Sequence, residues 1–473
     1  MSWSKFGSHL VVWGGAVLIE LLLLSGYLSL PPSFDALRWM WVLVIGGAIH
    51  FAIVHHVLKR RKRVRPHHMA LFVLVALTFR LTAVPLAPSL SDDLYRNIWD
   101  GKTQAAGIDP YAHAPADPAV AHLREGEVWP EINHPELRTI YPPVALYFSR
   151  GAVFLEENVS VLAGRPVLAW KLVLLAVEMS GAVLLAWGLY RKNRGIAFLL
   201  YGWSPLAVTE FYASGHVDAA GVGLLAGATG LIFLRQRILS GVLLAASFLT
   251  KLLVLPALVA FAALRGKRKR LAGFGVAAVL LSLPFWNSGA GAIDSLRTYQ
   301  ARWEFNGVVH RLLHVDAWGA IPERIERGEW SKLGSAGTEA QKKVGRAILS
   351  LLVLAGAAAA VRAGARPAVI AVWSLGVFLL VQPTIHPWYI TWILPLLTLH
   401  YVRAFLVWTV TIPFSYEVLL TQRLGQGWIE NYPLQAASLL PVLFFMIWDL
   451  HRRDFGMPIL EPSADEETDR LAF

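Results

Sequence analysis

The chain has 473 residues, 56% of them hydrophobic and 16% charged, with a formal net charge of +11 and no cysteine. A soluble protein of this size carries about 25% charged residues, so most of this chain belongs in lipid; disulfides and thiol chemistry are excluded. The surplus of Lys and Arg sits in short loops such as 59–65 and 265–270, the positive-inside pattern of a membrane protein and not the folded basic face of a nucleic-acid binder.

A membrane span needs roughly 20 apolar residues. In chain order the candidates are 10–30, 38–58, 69–88, 166–190, 195–213, 219–234, 271–286, 346–362, 367–385, 388–402, 404–420 and 436–450. The first follows a single lysine and has no small-residue cleavage site after it, so it reads as a retained helix. The basic loops at 59–65, 191–194, 235–237, 265–270, 362–366 and 451–453 belong on the cytoplasmic side, with some attraction to anionic lipid. The loops at 89–140, 214–218, 287–345 and 421–435 are then external.

Two stretches resist this bookkeeping. Residues 238–264 run between two basic loops with Thr250-Lys251 in the middle, which suits two half-helices, in and back, with Lys251 deep in the protein. Residues 141–157 are apolar enough to span, but a full crossing there would reverse every later helix. The expectation is an all-α polytopic membrane protein with about 11 to 13 membrane helices. The membrane domain covers 1–456 and an acidic cytoplasmic tail covers 457–473.

The first long loop opens with Ser91-Asp92-Asp93-Leu94-Tyr95-Arg96-Asn97-Ile98-Trp99-Asp100-Gly101. Adjacent carboxylates at a membrane edge are costly to keep. They raise each other's pKa, and forming a glycosidic bond requires a base at the acceptor hydroxyl. Asp92 and Asp93 are therefore the candidate catalytic pair, although Ser91 or Asp92 can also cap a helix over 94–106. Arg96, Trp99, Asp100 and Tyr111 are candidate substrate contacts in the same loop. Asn133 and His134 follow, suited to sugar hydroxyls or a phosphate.

Further along, Glu210, His216 and Asp218 place three ionisable groups in one membrane-edge turn. Their i, i+2 His/Asp spacing points to a loop, and two ligands make a weak metal signal. Lys251 lies within apolar flanks and asks for a partner anion, either a lipid phosphate or one of these carboxylates. Arg302 opens an aromatic stretch in the second long loop and suits a phosphate. His386 precedes Trp388 and Tyr389, which read as interface anchors. No pattern demands a cofactor; a divalent cation stays open.

Taken in order, SDDLYRNIWDG with GIDPYAHAP, INHPELRTIYPP, SPLAVTEFYASGHVDA, LTKLLVLPAL, RWEFNG and HPWYITWILP resemble the GT-C superfamily of polyprenyl-phosphate-sugar-dependent glycosyltransferases, and within it the bacterial mannosyltransferase-like members. The resemblance implies a GT-C-type helical bundle and a lipid-phosphate sugar donor. It also implies inversion at the anomeric carbon and an acidic base in the first external loop, a role that falls to Asp92 or Asp93, with Asp92 favoured by position. The acceptor would be a lipid or a glycan, the sugar mannose, and the location a bacterial inner membrane with the site facing outward. Asn97 stands where an aromatic is expected and Lys102 where arginine is common, which bears on acceptor or donor fit. Rival readings are a lipid-linked glycan flippase, a lipid-diphosphate-dependent polymerase or ligase, and a non-catalytic assembly subunit.

Overall fold

Proline sets the start of helix after helix. Pro32, Pro66, Pro143, Pro166, Pro205, Pro367 and Pro387 all occupy the first turn, where a missing N–H costs nothing and the fixed φ is already helical. A computed structural model describes residues 10–59, 63–264, 266–288, 303–313, 339–451 and 457–458, with 291, 294, 295 and 297 besides. Arg302 and most of the tail lie outside the described residues. Among those described, the only strands are the two-residue pair His400–Tyr401 and Met457–Pro458; the protein is all-α.

Among the described residues, seven helices are long and apolar enough to cross a membrane: Leu10–Tyr27, Pro32–Leu58, Pro66–Ala83, Pro166–Arg191, Lys267–Ser288, Arg403–Arg423 and Tyr432–Asp449. Five shorter apolar helices pack among them: Asp218–Phe233, Arg237–Phe248, Leu252–Ala263, Pro367–Leu380 and Pro387–Leu397. The run expected as one span at 195–213 is a chain of short helical pieces, broken at Ser204-Pro205, because proline cannot continue the ladder of hydrogen bonds.

The helices zigzag between two ends. At one end the basic loops meet. A Cβ on Gly195 would lie 2.9 Å from the Met69 sulfur and 3.2 Å from Val64. Arg194 stands over the Phe233 ring at 5.7 Å. Arg270 Nη1 donates to the Phe261 carbonyl at 3.0 Å. The 238–264 stretch is a pair of half-helices, Arg237–Phe248 and Leu252–Ala263, both rooted at this end and turning at Leu249–Lys251.

The helix Pro143–Asn158 settles the other ambiguous stretch. Its Val144 N–H donates to the Leu249 carbonyl at 3.0 Å and Tyr147 to the Leu281 carbonyl at 2.9 Å, so it starts at the end away from the basic loops. The next helix, Pro166–Arg191, finishes at the basic end, so the chain leaves Asn158 on the side it entered. The helix packs instead on Asp93–Ala105, where a Cβ on Gly101 would sit 2.3 Å from the Ser149 carbonyl oxygen.

Pro166–Arg191 and Asp218–Phe233 touch backbone to backbone. A Cβ on Gly181 would lie 1.8 Å from the Gly223 carbonyl oxygen, and one on Gly188 2.5 Å from that of Gly230. Small residues drive helix association in lipid by this close approach. Gly181→Ala must push the pair apart. We expect it to cost about 1–3 kcal/mol, seen as a lower melting temperature in detergent; an unchanged melt would show that the interface is loose.

One polar network crosses this core. Arg80 donates to Glu178 through Nε and Nη2, both at 2.7 Å, and through Nη1 to the Ala76 and Gly202 carbonyls at 2.8 Å. Glu178 also accepts from the Tyr201 hydroxyl and, at 2.7 Å, from that of Tyr212. All four side chains are fully buried, and each lobe of the carboxylate is satisfied, the condition for keeping an ion pair in lipid.

Candidate active site

The helix Asp93–Ala105 begins at the end away from the basic loops. Its first N–H, on Asp93, is taken by Ser91 Oγ at 3.2 Å, so Ser91 caps and Asp92 does not. Asp92 sits at φ −106°, ψ 0°, a sparsely used backbone region common at active sites. Both carboxylates are gathered by one side chain forty residues on. Asn133 Nδ2 donates to Asp92 Oδ1 at 2.5 Å and to Asp93 Oδ1 at 3.2 Å. The neighbouring His134 is left-handed at φ +46°, a conformation that costs a non-glycine residue about 1–3 kcal/mol and clusters at functional sites. Its ring meets Trp303 edge-on at 4.8 Å.

The opposite wall is the corner after Thr209–Ala213. That segment is a π-turn, closed by Ser214 N–H to the Thr209 carbonyl at 2.9 Å, and such turns favour functional sites. Gly215 follows at φ +76°, a left-handed position open to glycine; even there a Cβ would meet Leu94 at 3.1 Å. The turn brings His216 between two carboxylates. Its Nδ1 lies 3.8 Å from Asp93 Oδ2 and its Nε2 3.5 Å from Glu210 Oε2. Glu210 accepts from the Tyr416 hydroxyl at 2.6 Å.

Asp218 holds Lys251, whose Nζ reaches its two oxygens at 3.1 and 2.8 Å, and accepts from Trp392 Nε1 at 2.6 Å. Lys251 also sits over the Tyr389 ring at 4.4 Å, so the anion it required is Asp218. Trp388 stacks on His216 at 3.8 Å and on His386 at 4.3 Å. Trp388 and Tyr389 are each only 7% exposed. The expectation that they anchor the bilayer interface is therefore wrong: their rings pack on site histidines and on Lys251.

The charge balance follows. Burial, and then the charge of Asp92, raises the Asp93 carboxyl to about 6. Burial, and then Lys251, pushes His216 well below its usual value and His386 to about 3, so both rings are neutral near pH 7. Asp93 can thus exchange a proton close to neutrality while an uncharged imidazole faces it.

Of the residues singled out in the sequence, Asp92, Asp93, Asn133, His134, Glu210, His216, Asp218, Lys251 and His386 share contacts around this cluster. Arg96, Trp99, Asp100 and Tyr111 brace the loop beside it. Arg96 pairs with Asp100 at 3.0 Å and donates to the Leu137 carbonyl at 2.7 Å. Trp99 is buried against Trp129 at 5.6 Å, and the Tyr111 hydroxyl donates to the Tyr141 carbonyl at 2.6 Å. Arg302 lies outside the described residues. Sequence reasoning missed Tyr416 and Trp392. For Trp392 a signal existed, since it falls four residues after Trp388 and so on the same helical face; Tyr416 gave none. Among the described residues no group of three or more His, Asp or Glu could hold a metal ion.

Residues 7–266 match the model of the MptA_B family, described as Alpha-(1->6)-mannopyranosyltransferase, N-terminal domain. That stretch is more than half of the chain and contains the cluster from Asp92 to Lys251, while His386, Trp388, Trp392 and Tyr416 come from beyond it. No curated protein and no solved structure was found to match.

Proposed function

Because the chain belongs to the MptA_B family of alpha-(1->6)-mannopyranosyltransferases, we propose that this membrane mannosyltransferase takes mannose from a polyprenyl-phosphate donor and places it on an acceptor hydroxyl at the external face. The observation that carries this reading is the Asp92–Asp93 pair opposite His216, at the end of the molecule away from the basic loops. By the positive-inside rule those loops are cytoplasmic, which supports an external position for the cluster; a bacterial inner membrane is part of the same reading, on the family resemblance.

The chemistry is a single displacement. The acceptor oxygen attacks the anomeric carbon and its proton passes to Asp93. The bond from that carbon to the phosphate oxygen breaks, and the polyprenyl phosphate leaves with the electron pair. One displacement inverts the anomeric carbon, so an alpha product requires a beta-linked donor. Asp93 is favoured as base over Asp92 because it faces the neutral His216 ring at 3.8 Å and because its pKa of about 6 suits a base working near neutrality. Asp92, the more exposed of the two, raises that pKa and steers the acceptor with Asn133. An ammonium has three N–H donors; Lys251 spends two on Asp218, leaving one for the departing phosphate, whose charge it stabilises.

The rival with a diphosphate donor needs cations for two phosphates, which the basic residues of the second long loop would have to supply beside Lys251. The flippase rival needs a charged path through the spans, and the Arg80–Glu178 pair inside them is closed on itself by hydrogen bonds. The test is mannosyl transfer by the purified protein in nanodiscs, offered polyprenyl-phosphate mannose as both anomers, with nucleotide sugars as controls. Transfer or hydrolysis from the beta anomer alone supports the reading; transfer from a nucleotide sugar overturns it. The base must be ionised, so activity is present above its pKa and lost below it: kcat/KM should fall about tenfold per unit as pH drops under 6.

A further inference from the structure

Lys171 is an ionisable residue in the second turn of an apolar span, and the chemistry above does not use it. It is fully buried on the helix Pro166–Arg191, and ionisable groups inside spans are rare and functional by default. Its Nζ donates to the Leu86 carbonyl at 2.6 Å and to the Ala213 carbonyl at 3.1 Å. Among the described residues no carboxylate lies within ion-pair distance of it. A lysine kept only to bond two main-chain carbonyls is tied to what those two carbonyls hold in place.

Both lie where the site is anchored. Leu86 ends the approach to the loop that presents Asp92 and Asp93. Ala213 closes the π-turn that carries Glu210 and precedes His216. The neighbouring Trp170 Nε1 donates to the Gly215 carbonyl at 2.7 Å, and Glu178, two turns further along the same helix, takes the Tyr212 hydroxyl at 2.7 Å. One helix therefore grips residues 212, 213 and 215 of the corner, and Lys171 among these grips also holds Leu86, six residues before Asp92.

We infer that Lys171 is a positioning residue that fixes His216 against Asp93 by clamping the two segments that carry them. The inference rests on the mannosyl-transfer reading for its effect on rate, but the clamp itself is visible without turnover.

The experiment has two arms. In hydrogen exchange of the full chain in nanodiscs, Lys171→Met, which keeps the volume and removes the donors, should speed exchange in 86–94 and 209–216 together by at least tenfold. Trp170→Phe, a milder change that serves if Lys171→Met does not fold, should loosen 213–217 and leave 86–94 as in the wild type. Exchange unchanged in both segments for Lys171→Met, or raised equally in both by Trp170→Phe, would overturn the clamp. In the second arm, Lys171→Met should lower kcat 30- to 100-fold with KM for the donor within threefold. Combined with His216→Ala it should cost no more than the larger of the two single losses, since a residue acting through His216 has nothing left to position. Multiplying losses, or a KM that rises with the fall in kcat, would leave Lys171 a general structural residue. Absence of turnover in the wild type would count against the mannosyl donor, and the exchange arm would still decide the clamp.

Discussion

Asp93→Asn is expected to lower kcat/KM by about 10³-fold or more, in the upper range for loss of a general base, while binding of the polyprenyl-phosphate sugar stays within a few-fold. The asparagine keeps the size and the contact with Asn133 but cannot take a proton. Asp92→Asn should behave differently. It removes the like charge that helps raise Asp93 to about 6, so the acid limb of the pH–rate profile should move to lower pH, with a loss near neutrality of about tenfold or less. Two variants and one pH series thus separate the roles. A dead Asp92→Asn beside an active Asp93→Asn would return the base to Asp92, the position favoured by family resemblance, and would make His216 an orienter of something else.

Arg80→Met is expected to destabilise the protein by about 3–5 kcal/mol, the usual result of removing one partner from a buried ion pair. Glu178 would keep the Tyr201 and Tyr212 hydroxyls but would carry an uncompensated charge in the middle of the helix Pro166–Arg191. Thermal unfolding in detergent measures the loss. The double variant Arg80→Met, Glu178→Gln should recover much of it, because no unpaired charge is left behind. If the single variant melts like the wild type, the pair is not held as described. Since Tyr212 sits in the π-turn beside Glu210, activity should fall with the single variant even where enough folded protein survives to assay.

What the sequence made legible was whatever local chemistry writes down. Proline at a first turn marks where helices start, and basic loops at both ends of 238–264 force a pair of half-helices with Lys251 at the turn. Adjacent aspartates, or a Glu, a His and an Asp within nine residues, stand out because they are costly at a membrane edge. What stayed hidden depends on partners far apart in the chain. Tyr416 bonds Glu210 across 206 residues and Trp392 bonds Asp218 across 174, and aromatic residues at the end of an apolar run look the same whether they face lipid or a carboxylate. Trp388 and Tyr389 read as interface anchors for that reason. Arg80 and Glu178, 98 residues apart, each resemble a lone charge reaching for the interface until the fold sets them face to face. Asp92 and Asp93 were legible as a pair, while the approach of His216 to Asp93 and the deeper burial of that carboxyl depend on the fold.

The separation of the carboxylate cluster from the basic loops gives the proposed reaction a direction in space. A sugar headgroup crosses about 30 Å of hydrocarbon only at great cost, so the donor must already stand in the leaflet that the cluster faces. The enzyme is then vectorial by architecture: it works on one leaflet's pool of lipid-linked sugar, and a donor assembled on the other leaflet must be carried across by a separate translocation step before this chain can use it.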